Sequence, residues 1–136
     1  MQPDQARRAD ARAWLAKAAI DLRAAAIDWA AEPPLLEDVL FHCQQAVEKA
    51  FKALLTWHDQ RFRKTHSLEE LGQQVAALHP GLADVARRAS LLTEYAWKFR
   101  YPGDVDAPTD GDAKEALALA REAHGAVLGA IGERLF

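Results

Sequence analysis

The segment from Phe41 to Leu55, FHCQQAVEKAFKALL, constrains the fold of this chain more than any other stretch. Stepped at about 100° per residue around an α-helix, Leu36, Leu40, Cys43, Val47, Ala50, Phe51 and Leu54 fall on one side. His42, Gln45, Lys49, Lys52 and Thr56 line the other. So continuous an apolar stripe has to be packed against neighbouring elements. Gln44 lands among the apolar residues and Glu48 at their edge. Burying an unpaired amide costs roughly 1–3 kcal/mol. Gln44 is therefore expected either to enter a specific polar contact or to sit at a helix crossing on the rim of the core.

The rest of the chain reads as helices of the same kind. A first long helix is expected from near Asp4 to Ala30, with Leu15, Ala18, Leu22, Ala26 and Trp29 at helical spacing, stopped by Pro33-Pro34. The central helix covers Leu36 to His58. Ser67 with Glu70 forms a capping-box pattern for a short third helix through Leu78, ended by Pro80-Gly81. A fourth helix carries Leu82, Val85, Ala89, Leu92, Tyr95 and Phe99 until Tyr101-Pro102 breaks it. Thr109 with Asp112 caps a last helix whose stripe is Leu117, Ala120, His124, Leu128, Ile131 and Leu135. The expectation is an all-α, up-and-down bundle of about five helices, filling residues 1–136 as a single domain. The connection from Tyr101 to Gly111 reads either as a functional loop or as an acidic linker.

Composition narrows the function classes. A formal charge of −3 argues against a general nucleic-acid binder, so RNA is disfavoured as a partner. One cysteine excludes an internal disulfide, and Cys43 on the apolar stripe is simplest as a buried thiol. No basic segment leads into an apolar run and no stretch approaches a membrane span, so a soluble, cytoplasmic protein with no membrane contact is expected. The histidines His42, His58, His66, His79 and His124 are scattered without the spacing of a metal site, so no metal is expected. No G-x-S-x-G, Walker A or G-x-G-x-x-G motif is present, and no cofactor is expected.

Any phosphate-bearing ligand must then be held by side chains and helix N-termini. Lys49, Lys52 and Arg100 are the available donors, and with His42, Gln45 and Tyr95 they would form a groove if the fold brings them together. The cap at Ser67 is a further anion site by type. The same cations also suit solvated helix ends, where they offset the dipole. Trp14, Trp29, Trp57 and Trp97 divide between core and interface roles. The width of the central stripe, flanked by Phe41, Leu55 and Trp57, favours packing on more than one side and hence a homodimer.

Three segments carry a family resemblance. Phe41 to Leu55 reads F-H-x-Q-Q-A-x-E-K-x-x-K-A-L-L, Thr65 to Leu71 reads T-H-x-L-x-x-L, and the segment from Tyr95 ends Arg100-Tyr101-Pro102. With this spacing the chain resembles the HEPN domain in its small, stand-alone prokaryotic form, the type that accompanies minimal nucleotidyltransferases. The resemblance implies an all-helical bundle and nucleotide binding, substrate presentation or a toxin–antitoxin pairing with a nucleotidyltransferase partner, with a homodimer as the unit. From their positions on the wheel and beside the third helix's cap, Gln44, Glu48 and His66 are expected to be structural polar residues.

Many HEPN proteins are also metal-independent ribonucleases. Their signature is an arginine followed four to six residues later by a histidine near the start of the last helix, where arginine stabilises phosphorane charge and histidine moves a proton. Here the corresponding arginine is Arg100, and Tyr101 to Pro108 contains no histidine. Arg61 and His66 have the spacing but precede the third helix. The expectation is a non-enzymatic protein with no catalytic residues; the alternatives are an endoribonuclease toxin using Arg61 and His66, or a pure protein-interaction module.

Overall fold

The computed structural model describes residues 3–103 and 106–136, and no strand occurs among them. Five α-helices follow in order: α1 (Pro3–Ala30), α2 (Leu36–Trp57), α3 (Leu68–Leu78), α4 (Ala83–Ala89) and α5 (Asp110–Leu135). Short 3-10 segments at Pro80–Leu82 and Ser90–Ala96 flank α4. The all-helical expectation holds. No described helix is long and apolar enough to cross a membrane.

α2 is the axis of the molecule. Val39, Leu40, Cys43, Val47, Ala50, Phe51, Leu54 and Leu55 are all fully buried, and α1, α3, α5 and the Ser90–Ala96 segment pack around them. α1 meets α2 through small residues, Ala11, Ala18 and Ala25, so the two backbones approach closely along their whole length. Burial pushes the Cys43 thiol up to about 12, which makes it an inert core group. The apolar stripe around the central helix is therefore consumed within the protomer: Leu55 is buried, Phe41 and Trp57 are half-buried, and Arg7 and Arg8 cover the Trp57 ring.

The end of α2 is closed by a Schellman motif. Asp59 takes the left-handed conformation with φ of 54°, its N–H donates to Thr56 O at 3.0 Å, and the Gln60 N–H donates to Leu55 O at 2.9 Å. An aspartate occupies the position that glycine usually fills. At the other end of the chain, the Thr109 side chain accepts from the Asp112 N–H at 3.1 Å while Asp112 accepts from the Thr109 N–H at 3.0 Å. This reciprocal capping box starts α5 as its sequence pattern requires. Ser67 caps α3 alone: it accepts from the Glu70 N–H, but the Glu70 carboxylate turns outward to Arg63.

Two elements differ from the sequence expectation. The fourth helix does not run on to Phe99; it ends at Ala89 and tightens into the 3-10 segment. The Ser90 hydroxyl donates to Arg87 O at 2.6 Å, and Thr93 Oγ1 accepts the Leu68 N–H at 3.1 Å, so local side chains compete with the helical ladder and pin the segment to the start of α3. In α5 the buried face is Ala113, Ala116, Ala120, Ala123, Val127 and Ile131, with Leu117 and Leu135 beside it. Small residues let α5 approach α2 and α1, which leaves His124 half-buried and Leu128 exposed instead of central. Between α3 and α4, an added Cβ on Gly72 would lie 3.3 Å from the Cβ of Ala86, so the glycine permits that crossing. In the Tyr101–Gly111 connection, Asp104 and Val105 lie outside the described residues.

Candidate functional site

The polar residues of α2 divide into two networks and one cavity. In the first network, Asp21 of α1 is 6% exposed and faces α2. Its Oδ1 accepts from His42 Nδ1 at 2.8 Å and its Oδ2 accepts from Lys49 Nζ at 2.7 Å. The charge of a carboxylate placed between two helices is met on both oxygens, as burial demands. Accepting the Nδ1 proton also fixes the His42 tautomer, and Nε2 is the nitrogen left for a ligand.

The second network joins α2 to the segment preceding α3. Gln44 is fully buried, and its Nε2 donates to Glu48 Oε1 at 3.2 Å and to the His66 backbone oxygen at 3.1 Å. Gln45 Nε2 donates in turn to Gln44 Oε1 at 2.7 Å. Glu48 also accepts from His66 Nδ1 at 2.8 Å and from Lys52 Nζ at 3.0 Å. Burial pushes the Glu48 carboxyl up, but the hydrogen bonds from His66, Lys52 and Gln44 outweigh it and hold the group below its ordinary value. The polar amide on the apolar stripe is thus part of a specific contact, made to its own helix and to the Thr65–Ser67 turn.

Lys52 departs from its expected place on the solvent side. It is 6% exposed and lies over the rings of Trp14 and Phe62, at 5.4 and 5.8 Å from their centroids. A long aliphatic stem buried beneath two aromatic rings, with the ammonium on Glu48, makes Lys52 a core residue.

The cavity lies where the N-terminal half of α2 faces the end of the Ser90–Ala96 segment. It has a volume of about 380 Å³ and is lined by Glu37, Asp38, Phe41, His42, Tyr95, Phe99 and Arg100. The Arg100 guanidinium sits 4.4 Å from the Phe41 ring centroid. Tyr95 and Phe99 stack with centroids 6.0 Å apart. Burial, together with Asp112, Glu94 and Glu115, pushes the Tyr95 hydroxyl above its ordinary value, so it remains a donor. The cavity therefore presents aromatic faces, a fixed imidazole, one guanidinium and two carboxylates.

Of the sequence candidates, the fold brings His42, Tyr95 and Arg100 together and directs Gln45, Lys49 and Lys52 into the networks on α2. Glu37, Asp38, Phe41 and Phe99 complete the cavity, and the sequence reading gave none of them a ligand role. Phe41 and Phe99 were visible as apolar stripe residues, and Glu37 and Asp38 as acids of a first helical turn. Of the alternative ribonuclease pair, the His66 ring is bound to Glu48 through Nδ1 and its side chain is otherwise exposed. Arg61 is exposed, and its carbonyl accepts from Gln74 at 2.8 Å. Among the described residues, no group of three or more His, Cys, Asp or Glu is placed to hold a metal ion.

No curated protein and no solved structure matches the chain. The HEPN domain model matches residues 11–130, which take in the buried networks of α2, every residue lining the cavity, and most of α1 and α5; the chain belongs to the HEPN domain family.

Proposed function

We propose that this protein is a non-enzymatic, nucleotide-binding HEPN protein that works as the partner of a minimal nucleotidyltransferase in a toxin–antitoxin-like pair. The observation that carries the reading is the cavity of Phe41, His42, Tyr95, Phe99 and Arg100. Its aromatic faces suit a base, and Arg100 suits a phosphate oxygen through a two-pronged contact. The absence of a histidine between Tyr101 and Pro108 supports a binding role over phosphodiester cleavage at Arg100. Fluorescence titration with nucleotides tests the reading, with Trp97 beside Arg100 as reporter. Saturable binding that is lost in Phe41→Ala and Arg100→Ala supports it, and no binding by the parent chain contradicts it. Co-purification with a nucleotidyltransferase encoded next to it tests the partnership.

A homodimer remains part of this proposal. Ile20 and Ile27, two turns apart on α1, are 63% and 59% exposed and offer an apolar contact for a second copy. Light scattering that gives only the monomer mass at micromolar concentration would count against it. The competing ribonuclease reading has one observation in its favour: the His66 side chain is 64% exposed while its Nδ1 is oriented by buried Glu48. Metal-free RNA cleavage that is lost in His66→Ala would establish that activity.

A further inference from the structure

We infer that the cavity takes the base-and-ribose end of a ribonucleotide with at most one phosphate, and that Glu37 and Asp38 are the residues that set this preference. The inference rests on the nucleotide-binding reading and adds the ligand class. The sequence arrangement of three cations, Lys49, Lys52 and Arg100, would have favoured a polyphosphate. The fold removes two of them: Lys49 is held by Asp21 and Lys52 by Glu48, and neither lines the cavity.

What lines it instead is one guanidinium and two carboxylates, with His42 already paired to Asp21. Asp28 adds a further carboxylate near His42 and Asp38. A triphosphate entering without a metal would bring several negative charges against this acidic rim, and like-charge juxtaposition weakens binding. A single phosphate has a partner in Arg100. The carboxylates, in turn, are the acceptors that ribose hydroxyls need, since a carboxylate is the usual reader of a ribose 2′-hydroxyl. With Nδ1 engaged by Asp21, His42 Nε2 is the ring nitrogen left to hydrogen-bond a further ribose hydroxyl. Phe41, Tyr95 and Phe99 supply the faces for the base. The size agrees: about 380 Å³ is near the lower end of ligand cavities, which begin at roughly 300 Å³.

The test is equilibrium binding, without divalent cations, of the four ribonucleoside 5′-monophosphates, their 2′-deoxy counterparts and the matching triphosphates. The expected result is that at least one ribonucleoside monophosphate binds roughly tenfold tighter than its 2′-deoxy form, because the deoxy form leaves a carboxylate acceptor unused. It should also bind roughly tenfold tighter than its triphosphate, through charge repulsion. In the Glu37→Gln, Asp38→Asn double variant both ratios should fall towards one. A triphosphate that binds as tightly as the monophosphate, or a deoxy form that binds equally, overturns the inference while leaving nucleotide binding in place. Failure of every nucleotide to bind overturns the binding reading itself.

Discussion

Lys49 Nζ reaches Asp21 Oδ2 at 2.7 Å, and this contact makes a residue that reads as a ligand donor into a clamp between α1 and α2. The carboxylate it neutralises is buried and bound on its other oxygen by His42. Lys49→Ala should therefore destabilise the fold by about 2 kcal/mol, the usual cost of losing a hydrogen bond to a buried charged group. It should leave nucleotide affinity within a factor of about two, since Lys49 does not line the cavity. Chemical denaturation and a binding titration on the same variant check both halves.

Glu48 is the node of the second network, so removing it leaves Lys52 buried without its carboxylate. Glu48→Ala should cost about 3 kcal/mol or more. The pH dependence follows from the lowered folded-state pKa: the stabilisation is present above the unfolded-state value near 4.5 and is lost as pH falls through the folded one. The stability gap between the parent and Glu48→Gln should accordingly narrow below about pH 4.5 in thermal melts.

His124 provides a gain of stability. Its Nε2 is buried without a hydrogen-bond partner among the described residues, and burial holds the ring below its ordinary 6.5. The ring is thus neutral in the fold and charges more readily in the unfolded chain, so its contribution is present above 6.5 and is lost as pH falls beneath that value. His58, lowered by burial, His79 and Arg134, acts in the same direction. His124→Leu should stabilise the protein by about 1 kcal/mol at pH 7. It should also flatten part of the decline below pH 6.5, which melts at successively lower pH would show.

The left-handed Asp59 invites a further change. Glycine adopts this conformation without steric cost, so Asp59→Gly should stabilise the end of α2 by up to about 1 kcal/mol. A lower melting temperature would show that the Asp59 carboxylate, 4.0 Å from Arg7, matters more than the backbone.

Much of the fold was legible because it depends on short-range rules. The stripe from Leu36 to Leu54, the proline stop after α1 and the caps at Ser67 and Thr109 each follow from residues a few positions apart. The end of the fourth helix was not, because the Thr93 hydroxyl that pins it answers the Leu68 N–H 25 positions away. The site was half legible for the same reason. His42, Tyr95 and Arg100 carry their chemistry in their residue types. That Lys52 turns inward depends on Trp14 and Phe62 arriving from elsewhere, and that Lys49 is spent on Asp21 depends on the register between α1 and α2. A helical wheel shows which face a residue occupies but not what meets it there.

The central claim, a nucleotide site at the aromatic and arginine cavity, is tested most directly by mapping amide and side-chain chemical-shift changes in the labelled protein during titration with ribonucleoside monophosphates. The account predicts changes concentrated at Phe41, His42, Tyr95, Phe99 and Arg100, with Glu37 and Asp38 at the rim and the Lys52–Glu48–His66 network unmoved. Changes centred on Arg61 to His66, or no saturable change anywhere, would contradict it.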